Sequence, residues 1–233
     1  MTTTNIGTLN EKSLHAELKN YISKNGDQFE VEVDGYIIDI VRGHTLIEIQ
    51  TGNFSSIKTK IIDLASRHPL RLVYPIPKEK WIVKFNPETQ AQKSRRKSPK
   101  KGQLAEIFNE LVTFPEILHK KKFSLEVLMI QEEEMRHYVG KRRWRSRGWA
   151  TLDRKLLKVL ETHLFRGSDS LLQLIPECLP VKFTTKEIAK EMSVSPRLAQ
   201  RMAYCFRKTG DFELVGKRGR SYLYRLNSTK ESE

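Results

Sequence analysis

Two acidic residues stand where acids are rare. Asp39 sits among Ile38, Ile40 and Val41, and Glu48 lies between Ile47 and Ile49, in two apolar runs joined by Arg42-Gly43. Strands are depleted in Asp and Glu, and near-continuous apolar runs are those of buried strands, so each acid needs a reason to be there. A divalent cation supplies one. Mg2+ is held by one or two carboxylates and keeps several waters, because it demands near-octahedral oxygen coordination and dehydrates reluctantly. On adjacent strands joined by a tight turn, Asp39 and Glu48 could converge on one point, with the backbone carbonyl of Ile49 as a third ligand. Gln50 shares the face of Glu48 because strand side chains alternate with period two. Glu17, on a preceding helix, could approach the same end of the sheet. The competing reading places the two carboxylates on the wet face of a half-exposed sheet and makes Glu17 an ordinary solvated helix acid.

The elements that must position these residues are legible in outline. Leu14, Leu18, Tyr21 and Ile22 recur at helical spacing between Glu11 and Lys24, and Asn25-Gly26 supplies a stop. Runs at 29–33, 36–41 and 45–50 with short Gly-containing connections predict a three-strand meander. Ile57, Ile61, Ile62, Leu64 and Ala65 predict a second helix over 55–67, and 70–76 and 81–85 read as two further strands. A strand, a helix and another strand of the same sheet imply a parallel pair, so the predicted class is α/β with a mixed sheet flanked by helices.

That order, with Asp39 on the second strand and Glu48-Ile49-Gln50 on the third, resembles the PD-(D/E)XK nuclease superfamily over roughly residues 11–76. Holliday-junction resolvases and many restriction endonucleases are members. The resemblance implies that Asp39 and Glu48 are metal ligands for Mg2+, or Mn2+ in its place, that Gln50 holds the position of the water-orienting lysine, and that Glu17 is the first-helix acid of resolvase-like members. The chain departs from the pattern at Ile38, where the family has Pro, and at Gln50, where it has Lys. Some restriction endonucleases of this superfamily carry Gln there and cleave, and the lysine is known to migrate to the following helix, which makes Lys58 or Lys60 its replacement. The implied reaction is hydrolysis of a phosphodiester by a metal-activated water. A fold that has lost its chemistry at Gln50 and serves as a DNA-binding scaffold or regulator is the alternative, and an RNA-processing nuclease is a third.

Charge separates the chain into two parts. The formal net charge is +14, and residues 1–85 carry 11 basic and 10 acidic residues, so almost the whole excess lies beyond residue 85. A localised basic excess is the electrostatic footprint of a polyanion binder. A basic loop at 86–102 contains Arg95, Arg96, Lys97, Lys100 and Lys101, and a basic linker at 141–151 contains Arg142, Arg143 and Arg145. A helix is predicted over 152–165 from Leu152, Leu156, Leu157, Leu160 and Leu164, a second from Thr184 with a Glu187 capping box, and a third from Ser195-Pro196. Two strands then flank the tip Lys217-Arg218-Gly219-Arg220.

Three helices and a basic-tipped hairpin are the order of a winged helix, so the domains are expected at 1–140 (nuclease-like, core 11–85), 152–227 (winged helix, smaller) and a disordered tail at 228–233. Arg197, Gln200 and Arg201 would meet the major groove, and Lys217, Arg218 and Arg220 the backbone. The order resembles the endonuclease subunit of heteromeric transposases, and a junction-resolution, restriction or repair role fits equally well. Duplex or branched DNA is the expected partner, with a homodimer or a transposase-type subunit beside it. No run reaches the roughly 18–20 apolar residues of a membrane span, residues 1–10 lack the features of a signal peptide, and the two cysteines fit neither a disulfide framework nor a zinc site. The expected location is cytoplasmic, in a prokaryote and near the nucleoid, with no membrane partner.

Overall fold

The computed structural model describes residues 13–85, 92–140 and 148–227. Helix α1 (Ser13–Ile22) buries Leu14, Leu18 and Ile22. The meander follows as β1 (Gln28–Val33), β2 (Tyr36–Arg42) and β3 (Thr45–Ile49). At the β1–β2 turn both Asp34 (φ 52°) and Gly35 (φ 80°) are left-handed, the geometry whose twist matches the flanking strands. Helix α2 (Lys58–Arg67) then crosses over to β4 (Leu70–Phe85), which runs parallel to β3.

After β4 come β5 (Gln92–Lys97), the short helix α3 (Phe108–Leu111), β6 (Phe123–Tyr138) and β7 (Trp149–Phe165). The sheet has seven strands in the order β1-β2-β3-β4-β6-β7, with β5 also on β4. Strand β4 is parallel to β6 as well as to β3, and the other pairs are antiparallel. The expected mixed sheet flanked by helices is therefore what forms. Because β3 pairs with β4 only over Leu70–Val73, that side of β4 is open farther along, and β5 occupies it from Trp81 to Phe85.

Three expectations are corrected here. The two strands at 70–76 and 81–85 are one, bent by a register shift between Pro77 and Glu79. The basic loop 86–102 contains strand β5; its residues 86–91 lie outside the described residues. Above all, the helix expected over 152–165 is β7, antiparallel to β6 from Leu125↔Phe165 to Tyr138↔Trp149. The reason is visible in the pairing: Leu152, Leu157 and Leu160 are each skipped in the register. Every such β-bulge shifts the phase of a period-two pattern by one residue, and three of them space the leucines of a strand as a helix would.

The first structural unit consequently runs to Phe165 instead of ending at 140; of the expected linker, residues 149–151 belong to β7 and 141–147 lie outside the described residues. Beyond it lie α4 (Gly167–Leu172), α5 (Thr185–Glu191), α6 (Pro196–Lys208) and the hairpin β8 (Phe212–Arg218) and β9 (Ser221–Leu226). Glu187 Oε2 accepts from Thr184 N and Oγ1 at 2.6 and 2.9 Å, and Ser195 caps α6 by accepting from Leu198 N at 3.2 Å.

One apolar cluster runs without a break from the sheet through Ile61, Leu72, Phe108 and Phe123 to Met202, Phe206 and Phe212. The rings of Phe108 and Phe206 are 5.1 Å apart. The C-terminal elements thus share a core with the sheet. A second cluster packs α1 on the opposite face, against Ile40, Ile47, Val73 and Leu128. Among the described residues no helix is long and apolar enough to cross a membrane.

Candidate active site

The β2–β3 register, Ile40↔Ile47, brings Asp39 and Glu48 opposite one another where the ladder ends. Asp39 Oδ2 accepts from Ile49 N at 2.7 Å and lies 3.2 Å from His15 Nε2 on α1. Burial opposes ionisation of Asp39, but the His15 and Ile49 hydrogen bonds outweigh it and hold the carboxyl below its usual range. Glu48 behaves in the opposite way. Burial first, and then the Asp39 charge, raise its pKa to about 7 against the pull of Lys60. The environments of the two neighbouring carboxylates thus push their pKa values in opposite directions.

Lys60 Nζ, on α2, is 2.5 Å from Glu48 Oε1 and 2.6 Å from Ile37 O. Among the described residues the buried Glu48 Oε2 has no hydrogen-bond partner. Helix α1 therefore closes on Asp39 from one layer and α2 on Glu48 from the other.

The remaining candidates divide. Gln50 Nε2 donates to Asn53 O at 2.8 Å and Ser56 Oγ at 3.0 Å, which leaves its Oε1 as the group it can offer outward, an acceptor where a lysine would offer a cation. Its loop is rigidly held: Asn53 Oδ1 accepts from Ser56 N at 3.3 Å, Glu110 Oε2 on α3 accepts from Phe54 N at 2.9 Å, and the Phe54 side chain is fully buried.

Lys58 points away, donating to Thr113 O at 3.1 Å, so of the two α2 lysines only Lys60 reaches the carboxylates. Glu17 is not with the acids either. Its Oε2 accepts from Leu156 N on β7 at 2.6 Å, and the group that α1 does bring to Asp39 is His15. Ile49 meets Asp39 through its N–H.

His15 carries no sequence signal of its own, because it is a single histidine that partners a carboxylate on another element. Only its place on α1, one residue from the inward Leu14, points to it.

Among the described residues no group of three or more His, Cys, Asp and Glu side chains forms a metal-binding set. A two-carboxylate Mg2+ site needs fewer, since water fills the other positions. The buried Glu48 Oε2, without a hydrogen-bond partner among the described residues, is an oxygen able to take such a ligand, so Asp39 and Glu48 fit a two-carboxylate ion.

The basic residues are likewise sorted by the structure. Arg95 pairs with Glu133 at 2.6 Å and Lys97 with Glu79 at 2.7 Å, both over the Trp81 ring. Lys100 pairs with Glu106 at 3.1 Å. Arg201 donates to Asn109 Oδ1 at 2.5 Å and so helps dock α6 on α3 instead of facing outward, while Arg218 binds Glu187 at 2.8 Å. Arg96, Lys101, Arg197, Gln200, Lys217 and Arg220 are exposed. Arg142, Arg143 and Arg145 lie outside the described residues. Trp149 is packed in the sheet, edge-on to Tyr138 with Lys84 over its ring.

Residues 12–166 match the model of a domain of unknown function, DUF8091. The chain belongs to the DUF8091 family. The matched span begins just before α1 and ends one residue past β7, so the DUF8091 unit and the seven-stranded sheet with its flanking elements are the same object. An uncharacterized protein of Treponema pallidum (strain Nichols) is 33% identical over 222 residues, covering 94% of this chain and 87% of the relative. No solved structure matches.

Proposed function

We propose that this DUF8091 protein is a metal-dependent DNA endonuclease, hydrolysing phosphodiester bonds at Asp39 and Glu48. The observation that carries the reading is the pair of Asp39 and the buried Glu48 at the end of the β2–β3 ladder, with Lys60 against Glu48 and, among the described residues, Glu48 Oε2 left without a hydrogen-bond partner. Asp39 and Glu48 would hold Mg2+ or Mn2+. When bound, such an ion supplies an activated water and neutralises charge on the phosphate oxygens. The chain's own residues do the rest. Lys60 supplies the fixed cation beside Glu48, in the role that Lys58 does not fill, and Gln50 Oε1 accepts a hydrogen bond from the attacking water and so fixes its approach. His15 orients Asp39. Fixed groups aimed at developing charge are worth more than mobile ones, because they need no reorganisation as the reaction proceeds.

The C-terminal elements read as a winged helix whose first helix is α4. A single bridge between Phe183 and Tyr224 ties the segment before α5 to the hairpin, and Arg197 and Gln200 on α6 are exposed, as are Lys217 and Arg220 of the hairpin and its turn. Its docking target in this reading is duplex or branched DNA, held mainly through phosphate contacts.

The test is cleavage of plasmid, junction and flap DNA in Mg2+ and in Mn2+, beside Asp39→Ala and Glu48→Ala. Loss in both variants is expected; DNA binding without cleavage of any substrate would make the fold a scaffold, and a preference for RNA would make it an RNA-processing nuclease. In the same assay Lys60→Met is expected to lower kcat on the order of 10²-fold, as removal of one fixed electrostatic group does, whereas Lys58→Met stays within a few-fold of wild type. Equal effects of the two substitutions would remove Lys60 from the site.

A further inference from the structure

Strand β7 puts an arginine against the loop that carries Gln50. Arg154 Nη2 donates to Thr51 O at 2.5 Å, and its Nη1 lies 3.9 Å from Glu132 Oε2. Glu132 is fully buried on β6, with Lys80 Nζ 2.9 Å from its other oxygen. A buried ion pair is weak evidence for stability, because desolvation offsets the attraction, so the burial of Glu132 under Arg154 calls for another cause.

The segment around Arg154 is itself held on both sides by α1. Ser13 N donates to Asp153 Oδ1 at 3.2 Å and Ser13 Oγ to Asp153 Oδ2, while Glu17 accepts from Leu156 N at 2.6 Å. The same helix carries His15 to Asp39.

We infer that Arg154 is a positioning residue for the site: it fixes the Thr51 carbonyl, and through it the Gln50 side chain, against a foundation made of Glu132, Asp153 and α1. A guanidinium suits this task and an ammonium does not, since its planar fork reaches two partners in fixed directions. Gln50 can orient a water only if its amide stays turned, and the amide is turned by Asn53 O and Ser56 Oγ, within five residues of Thr51. A displacement of about 1 Å in such a group costs on the order of 10²-fold in rate. The inference rests on the nuclease reading and adds to it a residue from a strand that lies beyond the α-β-β-β-α-β core.

The experiment compares wild type with Arg154→Lys and with the charge-balanced double variant Arg154→Met, Glu132→Gln, which leaves no uncompensated buried acid. Expected for the double variant are a kcat lower by on the order of 10²-fold, KM for DNA and Mn2+ affinity within a few-fold of wild type, and a melting temperature close to wild type; Arg154→Lys should restore only part of kcat. Unchanged kcat in a wild-type enzyme that cleaves would overturn the inference alone. So would a parallel fall in kcat, Mn2+ affinity and melting temperature, which marks a merely structural role, and so would a rise confined to KM, which marks a phosphate contact. A wild type that cleaves nothing removes the nuclease reading, and this inference with it.

Discussion

Glu48→Gln is expected to make the metal-free protein more stable at pH 8 while abolishing cleavage. The Glu48 pKa, raised from 4.5 to about 7 by burial and by Asp39, fixes the sign. An acid whose folded pKa lies above its unfolded value keeps its proton in the folded state between the two. Wild-type stability therefore falls as pH rises from about 4.5 to about 7 and stays low above that window. Glutamine mimics the protonated form, so its advantage is absent near pH 4.5 and complete at pH 8, at roughly 1–3 kcal/mol. Lys60 keeps its bond to Ile37 O in the variant, which limits the cost of losing its carboxylate.

Urea unfolding in EDTA at the two pH values measures the difference, and a variant no more stable than wild type at pH 8 would refute the electrostatic account. Millimolar Mg2+ or Mn2+ should then stabilise the wild type by mass action and leave Glu48→Gln unmoved. Cleavage should fall on the order of 10³-fold or more, since an activating ion contributes several kcal/mol.

The second large effect concerns the shared core. Phe206 is fully buried, with its ring 5.1 Å from Phe108 and 4.8 Å from Phe212, so Phe206→Ala should cost about 3–5 kcal/mol. The three tryptophans, 81, 144 and 149, all precede α4. Trp144 lies outside the described residues, so in a Trp144→Phe background, which keeps Trp81 on β4 and Trp149 on β7, tryptophan fluorescence reports on the sheet, whereas Phe206 belongs to α6. If one core joins them, the fluorescence transition moves to lower urea by as much as the far-UV circular dichroism does. A fluorescence midpoint that stays in place would mean that the C-terminal elements unfold by themselves.

What the sequence made legible is what local chemistry dictates. The Asp34-Gly35 turn, the apolar face of α1, the Ser195 cap and the two misplaced acids all signal within a few residues of themselves, and each stands where the spacing put it. The choice between Lys58 and Lys60 could not be read. Two positions apart on a helix face nearly opposite ways, and which one faces the acids depends on where α2 begins, which is at Lys58 itself.

Glu17 failed for a related reason: it and His15 occupy different faces of α1, and only the packing says which face looks toward β2 and which toward β7. Strand β5 was hidden by its composition, since Gln-Lys-Ser-Arg-Arg-Lys has no apolar alternation to display when both of its faces are exposed. Strand β7 was hidden by its bulges.

Those bulges carry a further meaning, because β7 is the last strand of the sheet. A free edge of 17 residues would ordinarily be an open template on which another chain could lay a strand and hydrogen-bond along its whole length. Here the skipped residues divide it into stretches of three, four, two and five residues that are out of step with one another. An incoming strand in register with one stretch loses register at the next. Among the described residues, that edge of the sheet therefore offers an added strand no single continuous register.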